Sequence, residues 1–293
     1  MKYTTAQAFR QALEERIRRE YKGRDIPRIR KMIAFERLMA RLDERWILKG
    51  GYAVQLWTEK ARTTQDVDLL AIETPPQEIE DSFRKALDTN IDDYFYFASS
   101  EQGLIGDDVD SVRFQVTTRV AGKIFERFHV DVGISDPLVQ PVEYLTPPNF
   151  LAFAQITTKP IQCYSIYQHI AEKVHAIWRP RTVQSSRVKD LVDLVLFASL
   201  ASDIQADKLR EVITLIFNKR GDQVPDSFHK FPNEWYQRYN RLAKEINLDI
   251  LDFQEATQAT SSFISPVLSG NVAGLAWNSA IWKWDTLGNA GVP

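Results

Sequence analysis

The stretch KGGYAVQLWTEKARTTQDVDLL, Lys49 to Leu70, puts two carboxylates, Asp66 and Asp68, inside an otherwise apolar segment shortly after a Gly-Gly pair. On a strand, residues two apart share a face, so Asp66 and Asp68 project together while Val67 and Leu69 face the other way. Two like charges this close repel, and a buried charge without a partner is costly. A hard divalent ion, Mg²⁺ or Mn²⁺, held by the carboxylates and by substrate phosphate, meets that demand. The alternative is a pair of strand-end carboxylates turned to solvent.

Outward from this segment, SVRFQVTTRVAGKIFERFHVDVGIS alternates apolar and polar residues about Ala121-Gly122 and reads as a β-hairpin. In its second arm Val130, Val132 and Ile134 share one face, leaving Asp131 as an acid on a strand that otherwise reads as core. A third carboxylate on a neighbouring strand completes the kind of acidic cluster used in two-metal phosphoryl transfer. Asp131 is then both metal ligand and general base toward an attacking hydroxyl. Gly50-Gly51, entering a short helix behind Lys49, lets backbone amides approach a phosphate. A plain tight turn is the other reading of the pair.

Elsewhere in the first half, helices are expected over Ala6–Tyr21 and Arg28–Asp43, a short helix over Ala53–Trp57, and a helix in PPQEIEDSFRKAL behind its prolines. DVDLLAI and IDDYFYFAS read as strands, and 137–160 as irregular or edge-strand chain. From Ile166 the pattern is helical: IYQHIAEKVHAIW, RVKDLVDLVLFASL, DKLREVITLIFNKR and NEWYQRYNRLAKEI. The last forty residues, with Trp277, Trp282 and Trp284, are expected to pack as a closing helix or extended tail. The organisation is therefore an α/β domain over 1–160 and a helical domain over 161–293 that contributes to the active-site cleft.

On the first of those helices Ile166, Ile170, Val174 and Ile177 form an apolar stripe with Lys173 in its middle, so Lys173 either snorkels out or meets an anion inside. His169 sits at the stripe edge and His175 on the opposite face. The next helix is apolar nearly all round, its polar exceptions being Lys189, Asp190 and Asp193 behind Arg187. Lys189 and Asp193 can pair at i,i+4, or the cluster forms a polar wall whose bases hold a triphosphate.

Bulk properties narrow the class. The chain has 293 residues, 44% of them apolar, enough for one large core or two modest ones. One cysteine, Cys163, excludes a disulfide framework, and four scattered histidines leave no Cys/His zinc cluster. The N-terminus is too charged for a signal peptide and no apolar run approaches a membrane span, which points to the cytoplasm. Net charge is only −2, yet residues 1–45 hold 13 Lys/Arg against 7 Asp/Glu, and residues 66–110 hold 2 against 13. A basic arm for nucleic acid is one reading; solvated helix faces and an acidic loop, GDDVD at 106–110, are the other.

The order LKGG-x-A, AR-x-T-x-D-x-DL, AEK-x-HA and R-x-KDL-x-DL, within residues 30–200, resembles the AbiEii/AbiGii family of nucleotidyltransferase-like toxins. The resemblance implies a polymerase-β-type nucleotidyltransferase fold with a mixed sheet, followed by a helical C-terminal domain. It implies the toxin half of a bacterial toxin–antitoxin or abortive-infection system, with a cognate antitoxin, nucleoside triphosphate as substrate and RNA, above all tRNA, as acceptor. On this sequence it assigns Gly50 and Gly51, with Lys49, to the nucleotide and Asp66, Asp68 and Asp131 to metal and catalysis. Lys173, Arg187 and Lys189 fall to the triphosphate, with Lys173 and Asp190 also catalytic. One departure is Tyr52, where similar proteins carry a small hydroxyl residue after the Gly-Gly. Acceptors of another kind, a small molecule or a protein hydroxyl, and a non-catalytic binding protein of the same fold are the competing readings.

Overall fold

A computed structural model describes residues 2–23, 25–58, 64–104, 111–179, 187–201, 203–228 and 231–286. The acidic loop at 106–110 and the Ala61 and Arg62 of the second motif lie outside the described residues. Two compact units emerge, one formed by Met1–Leu56, Thr63–Asp136 and Val142–Cys163, the other by Trp57–Arg62, Pro137–Pro141 and Tyr164–Pro293.

The first unit is a mixed α/β layer structure. Its strands are β1 (Trp46–Lys49), β2 (Asp66–Ala71), β3 (Phe95–Leu104), β4 (Ser111–Val120), β5 (Lys123–Gly133), β6 (Glu143–Leu145) and β7 (Ile161–Cys163), in the order β3-β4-β5-β2-β1-β7-β6. The pairs β2–β5 and β1–β7 are parallel and the others antiparallel. The expected hairpin is present: Ala121 and Gly122 both take positive φ, 50° and 72°, as a two-residue turn between right-twisted strands requires. β4 buries every second residue against the core, from Val112 to Val116.

Helices α1 (Ala6–Glu20) and α2 (Asp25–Met39) cover this sheet, α1 against β4 and α2 against β5. α1 starts where the Thr5 hydroxyl accepts the Ala8 amide at 3.2 Å. α3 (Gly50–Thr58) and α4 (Ile79–Leu87) complete the order, α4 burying Ile79, Phe83 and Leu87. α2 begins and ends earlier than Arg28–Asp43, and just past its end Arg41 enters a buried ion pair. Its guanidinium donates to Asp93 at 2.9 and 2.6 Å and to the Phe95 carbonyl at 2.7 Å. Both side chains are nearly sealed from solvent.

The second unit holds α5 (Ile166–Trp178), α6 (Val188–Leu200), α7 (Ala206–Lys219), α8 (Tyr236–Glu245) and α9 (Phe253–Ser269). α9 is capped by Asp252, whose carboxylate accepts from Gln254 and Glu255, and ends at Gly270 with φ 76°. Of the last forty residues, α9 supplies the expected closing helix, and the tryptophan-rich part after it is a hairpin, β8 (Leu275–Asn278) paired with β9 (Lys283–Thr286). Trp277 anchors it: its indole N–H donates to the Ala198 carbonyl at 2.7 Å and its ring packs on Phe263 and Trp284.

Candidate active site

The parallel register of β2 on β5 sets Asp68 beside Asp131 and Asp66 beside His129. All four side chains therefore share one face of the sheet, as the alternation of the two strands required. Across β1 and β4 the row extends to Lys49, opposite Asp68, and to Arg113, opposite Asp131. Four adjoining strands thus carry cation, anion, anion, cation in a line.

Each acid is held differently. Asp68 accepts the backbone amide of Gly51. Burial raises its pKa above the ordinary carboxylate value; Lys49 opposes the shift, and Asp131 and Asp66 add to it. Its side chain fills the space over Gly50, where a Cβ would overlap the carboxylate, and Gly50 itself sits at φ 67°. The glycine pair is therefore the seat of Asp68 at the start of α3. Asp66 is more open, with His129 Nδ1 at 3.3 Å. Asp131 is forked by Arg113, Nε to Oδ1 and Nη2 to Oδ2, both at 2.6 Å. That bond holds the Arg113 pKa above its ordinary value. Lys49 reaches across Gly133 to Asp136, leaving no room for a Cβ there.

Two of these acids suit a hard divalent cation. Asp66 and Asp68 offer oxygen donors from one face, and Mg²⁺ commonly takes one or two protein carboxylates plus water and phosphate. Asp131 has both oxygens on Arg113, and among the described residues no group of three or more His, Cys, Asp or Glu is gathered to hold a metal. Tyr52, the departure after the Gly-Gly, is core: its ring is 1% exposed and packs edge-on against Phe35. Its hydroxyl is thus enclosed rather than offered to a phosphate.

In the second unit Lys173 meets anions inside. Its ammonium lies 2.6 Å from Asp193 and 3.3 Å from Asp190, while Arg187 reaches the other Asp190 oxygen at 3.2 Å. Lys189 is exposed on α6. His175, expected on an outer face, is buried, because α5 is enclosed by both α6 and α7. It packs on Phe217, and its Nε2 lies 2.7 Å from Asp222. Burial pushes the His175 pKa down, with the Asp222 bond opposing.

Part of the basic surplus of the first 45 residues is engaged within the fold. Arg10 donates to the Val120, Lys123 and Ile124 carbonyls, Arg30 to Glu14 and the Phe125 carbonyl, and Arg37 and Arg41 flank Asp93. Arg18 and Arg19 on α1, with Lys22 after it, face solvent.

Sequence reasoning singled out the three aspartates and put His129 on the strand face of Asp131, but it did not single out Arg113 or Asp136. Arg113 occupies a polar position of an alternating strand like Gln115 and Thr117 beside it, and only the register to β5 distinguishes it.

The fold is similar to that of the nucleotidyltransferase toxin MenT4 from Mycobacterium tuberculosis H37Rv, with a TM-score of 0.55 at 20% identity over 91% of this chain and 90% of that one. Two Helicobacter pylori structures are less similar. One, described as a nucleotidyltransferase, has a TM-score of 0.46 at 15% identity over 82% of this chain and 96% of that one. The other, JHP933, has 0.42 at 14% over 82% and 93%. No curated protein matches the sequence. The family described as "Nucleotidyl transferase AbiEii toxin, Type IV TA system" matches residues 35–261, a span that includes both strands of the aspartate face, and the chain belongs to that family.

Proposed function

We propose that this protein transfers a nucleotidyl group from a nucleoside triphosphate to a hydroxyl of RNA, with tRNA as the acceptor and a divalent cation, Mg²⁺ or Mn²⁺, seated on Asp66 and Asp68. The acceptor oxygen forms the new bond to the α-phosphorus and pyrophosphate leaves. The observation that carries this reading is the shared face of Asp66, Asp68 and Asp131 on two adjoining parallel strands. When bound, the cation neutralises phosphate charge and polarises the reacting phosphoryl group.

The protein's own groups do the rest. The Gly51 amide and the close backbone at Gly50 seat the Asp68 carboxylate at the start of α3. Asp131 takes the proton of the attacking hydroxyl. Lys173, Arg187 and Lys189 are assigned to the triphosphate and Asp190 to catalysis on the motif match; the pairing of Lys173 and Arg187 on Asp190 gathers three of the four residues. Arg18, Arg19 and Lys22 offer the RNA its phosphate contacts, so binding weakens as salt rises. The family carries the expectation of a cognate antitoxin. The cytoplasm, where tRNA and nucleoside triphosphates meet, is the proposed site of action; among the described residues no helix is long and apolar enough to cross a membrane.

The test is label transfer. Purified protein is incubated with Mg²⁺, total tRNA and each of the four α-labelled nucleoside triphosphates in turn, beside an Asp66→Ala/Asp68→Ala control. Label on tRNA from the wild type alone supports the reading and identifies the base. Absence of label with all four nucleotides, from folded protein, removes tRNA as acceptor and points to another acceptor.

A further inference from the structure

The row Lys49–Asp68–Asp131–Arg113 is unevenly neutralised. Lys49 bonds to Asp136, so Asp68 keeps the Gly51 amide as its direct donor. Asp131, one strand away, has both oxygens in the Arg113 fork. A bidentate guanidinium occupies the lone pairs with which a carboxylate binds a metal, and it does so with a single positive charge in the plane of the two oxygens.

Another arginine–aspartate pair of the same unit offers a comparison. Arg41–Asp93 is 1% and 2% exposed and is further tied to the Phe95 carbonyl, as befits a fixed strut. Arg113–Asp131 is 33% and 24% exposed, so its partners can exchange without breaking a dry contact. Arg113 also feels Asp66 and Asp68 as well as Asp131, and so responds to the charge of the whole face.

Building on the cation seat proposed above, we infer that Arg113 is a resident stand-in for the divalent ion: it holds Asp131 while the face is metal-free and competes with the metal for that carboxylate. Asp131 joins Asp66 and Asp68 as a ligand only when the fork opens. The guanidinium then released lies one strand from Asp131 on the same face, where it meets the negative charge of the incoming phosphates. Arg113 is therefore a positioning residue for Asp131.

The experiment is direct Mn²⁺ binding, read from the loss of the aquated Mn²⁺ electron paramagnetic resonance signal, on full-length wild type, Arg113→Met and Arg113→Lys, each shown to be folded by circular dichroism. Opening the fork is expected to tighten Mn²⁺ binding about tenfold in Arg113→Met, the scale of one charge-assisted bond, with Arg113→Lys between. Adding Asp131→Asn to Arg113→Met cancels the gain. A pair that is only structural leaves the Mn²⁺ affinity of folded Arg113→Met unchanged or weaker, which overturns the inference while leaving the cation seat standing. Binding by none of the folded proteins removes the seat itself and the inference with it. If the variants fail to fold, the Arg113 Nε–H resonance of the wild type serves instead. It moves on Mg²⁺ addition if the fork opens, and a resonance indifferent to saturating Mg²⁺ overturns the inference.

Discussion

Gly50 and Asp68 share one niche: the carboxylate of Asp68 occupies the volume that a side chain on residue 50 would need. Gly50→Ala therefore carries two penalties, a left-handed φ of 67° and displacement of the carboxylate. Gly122, at φ 72° with nothing near its absent Cβ, supplies the control. Gly122→Ala is expected to cost about 1–2 kcal/mol by urea unfolding, from backbone strain alone. Gly50→Ala should cost more than that and abolish both Mn²⁺ binding and label transfer. Equal costs with intact Mn²⁺ binding would separate the glycine from the aspartate.

The Lys173 ammonium and the Asp193 carboxylate are buried together, and breaking such a pair from one side is far worse than replacing both members. Lys173→Met is expected to lose about 3–5 kcal/mol of stability. Lys173→Met with Asp193→Leu should recover most of it, measured by the urea midpoint. A double variant no better than the single one would show that the two charges do not act as a pair.

Burial holds the His175 pKa below its free value, so the neutral ring belongs to the folded state and the unfolded chain binds the proton more readily. The contribution of His175 is present above about pH 6.5 and is lost as pH falls through the depressed folded value. Comparing unfolding at about pH 7.5 and pH 5.5 should show a larger loss for the wild type than for His175→Gln. The reverse order would mean that Asp222, not burial, controls the ring.

Trp277 closes the second unit through its ring contacts and its bond to Ala198. Trp277→Ala is expected to cost about 3–5 kcal/mol. Trp277→Phe keeps the packing and leaves the Ala198 carbonyl without its indole donor, costing about 1–3 kcal/mol. Thermal unfolding of both variants provides the measurement.

The features legible in sequence were those with local periodicity. Alternation put Asp66 and Asp68 on one face of their strand and Asp131 opposite the apolar face of its own, and the Ala121-Gly122 turn announced its hairpin; the register of β2 on β5 joins the two faces. Lys173 inside an apolar stripe posed the right question, which the structure answers with Asp193. What stayed hidden depends on residues distant in sequence. Gly50 is explained by an aspartate eighteen positions on, and His175 by α7 and by Asp222 on its far side. β6 and β7, three residues each, are too short to show a period of two, and they become strands through each other and through the pairing of β7 with β1.

Because β2 and β5 run parallel, the chain must leave the sheet after Ala71, lay down α4, β3 and β4, and return before Asp131 can stand beside Asp68. A ribosome making this protein therefore exposes Asp66 and Asp68 some sixty residues ahead of the strand that completes the face. A product of interrupted translation that stops before Lys123 carries the glycine seat and two of the acids but lacks all of β5. For a nucleotidyltransferase toxin, that chain order keeps the three-aspartate face from assembling until the strand carrying Asp131 has been made.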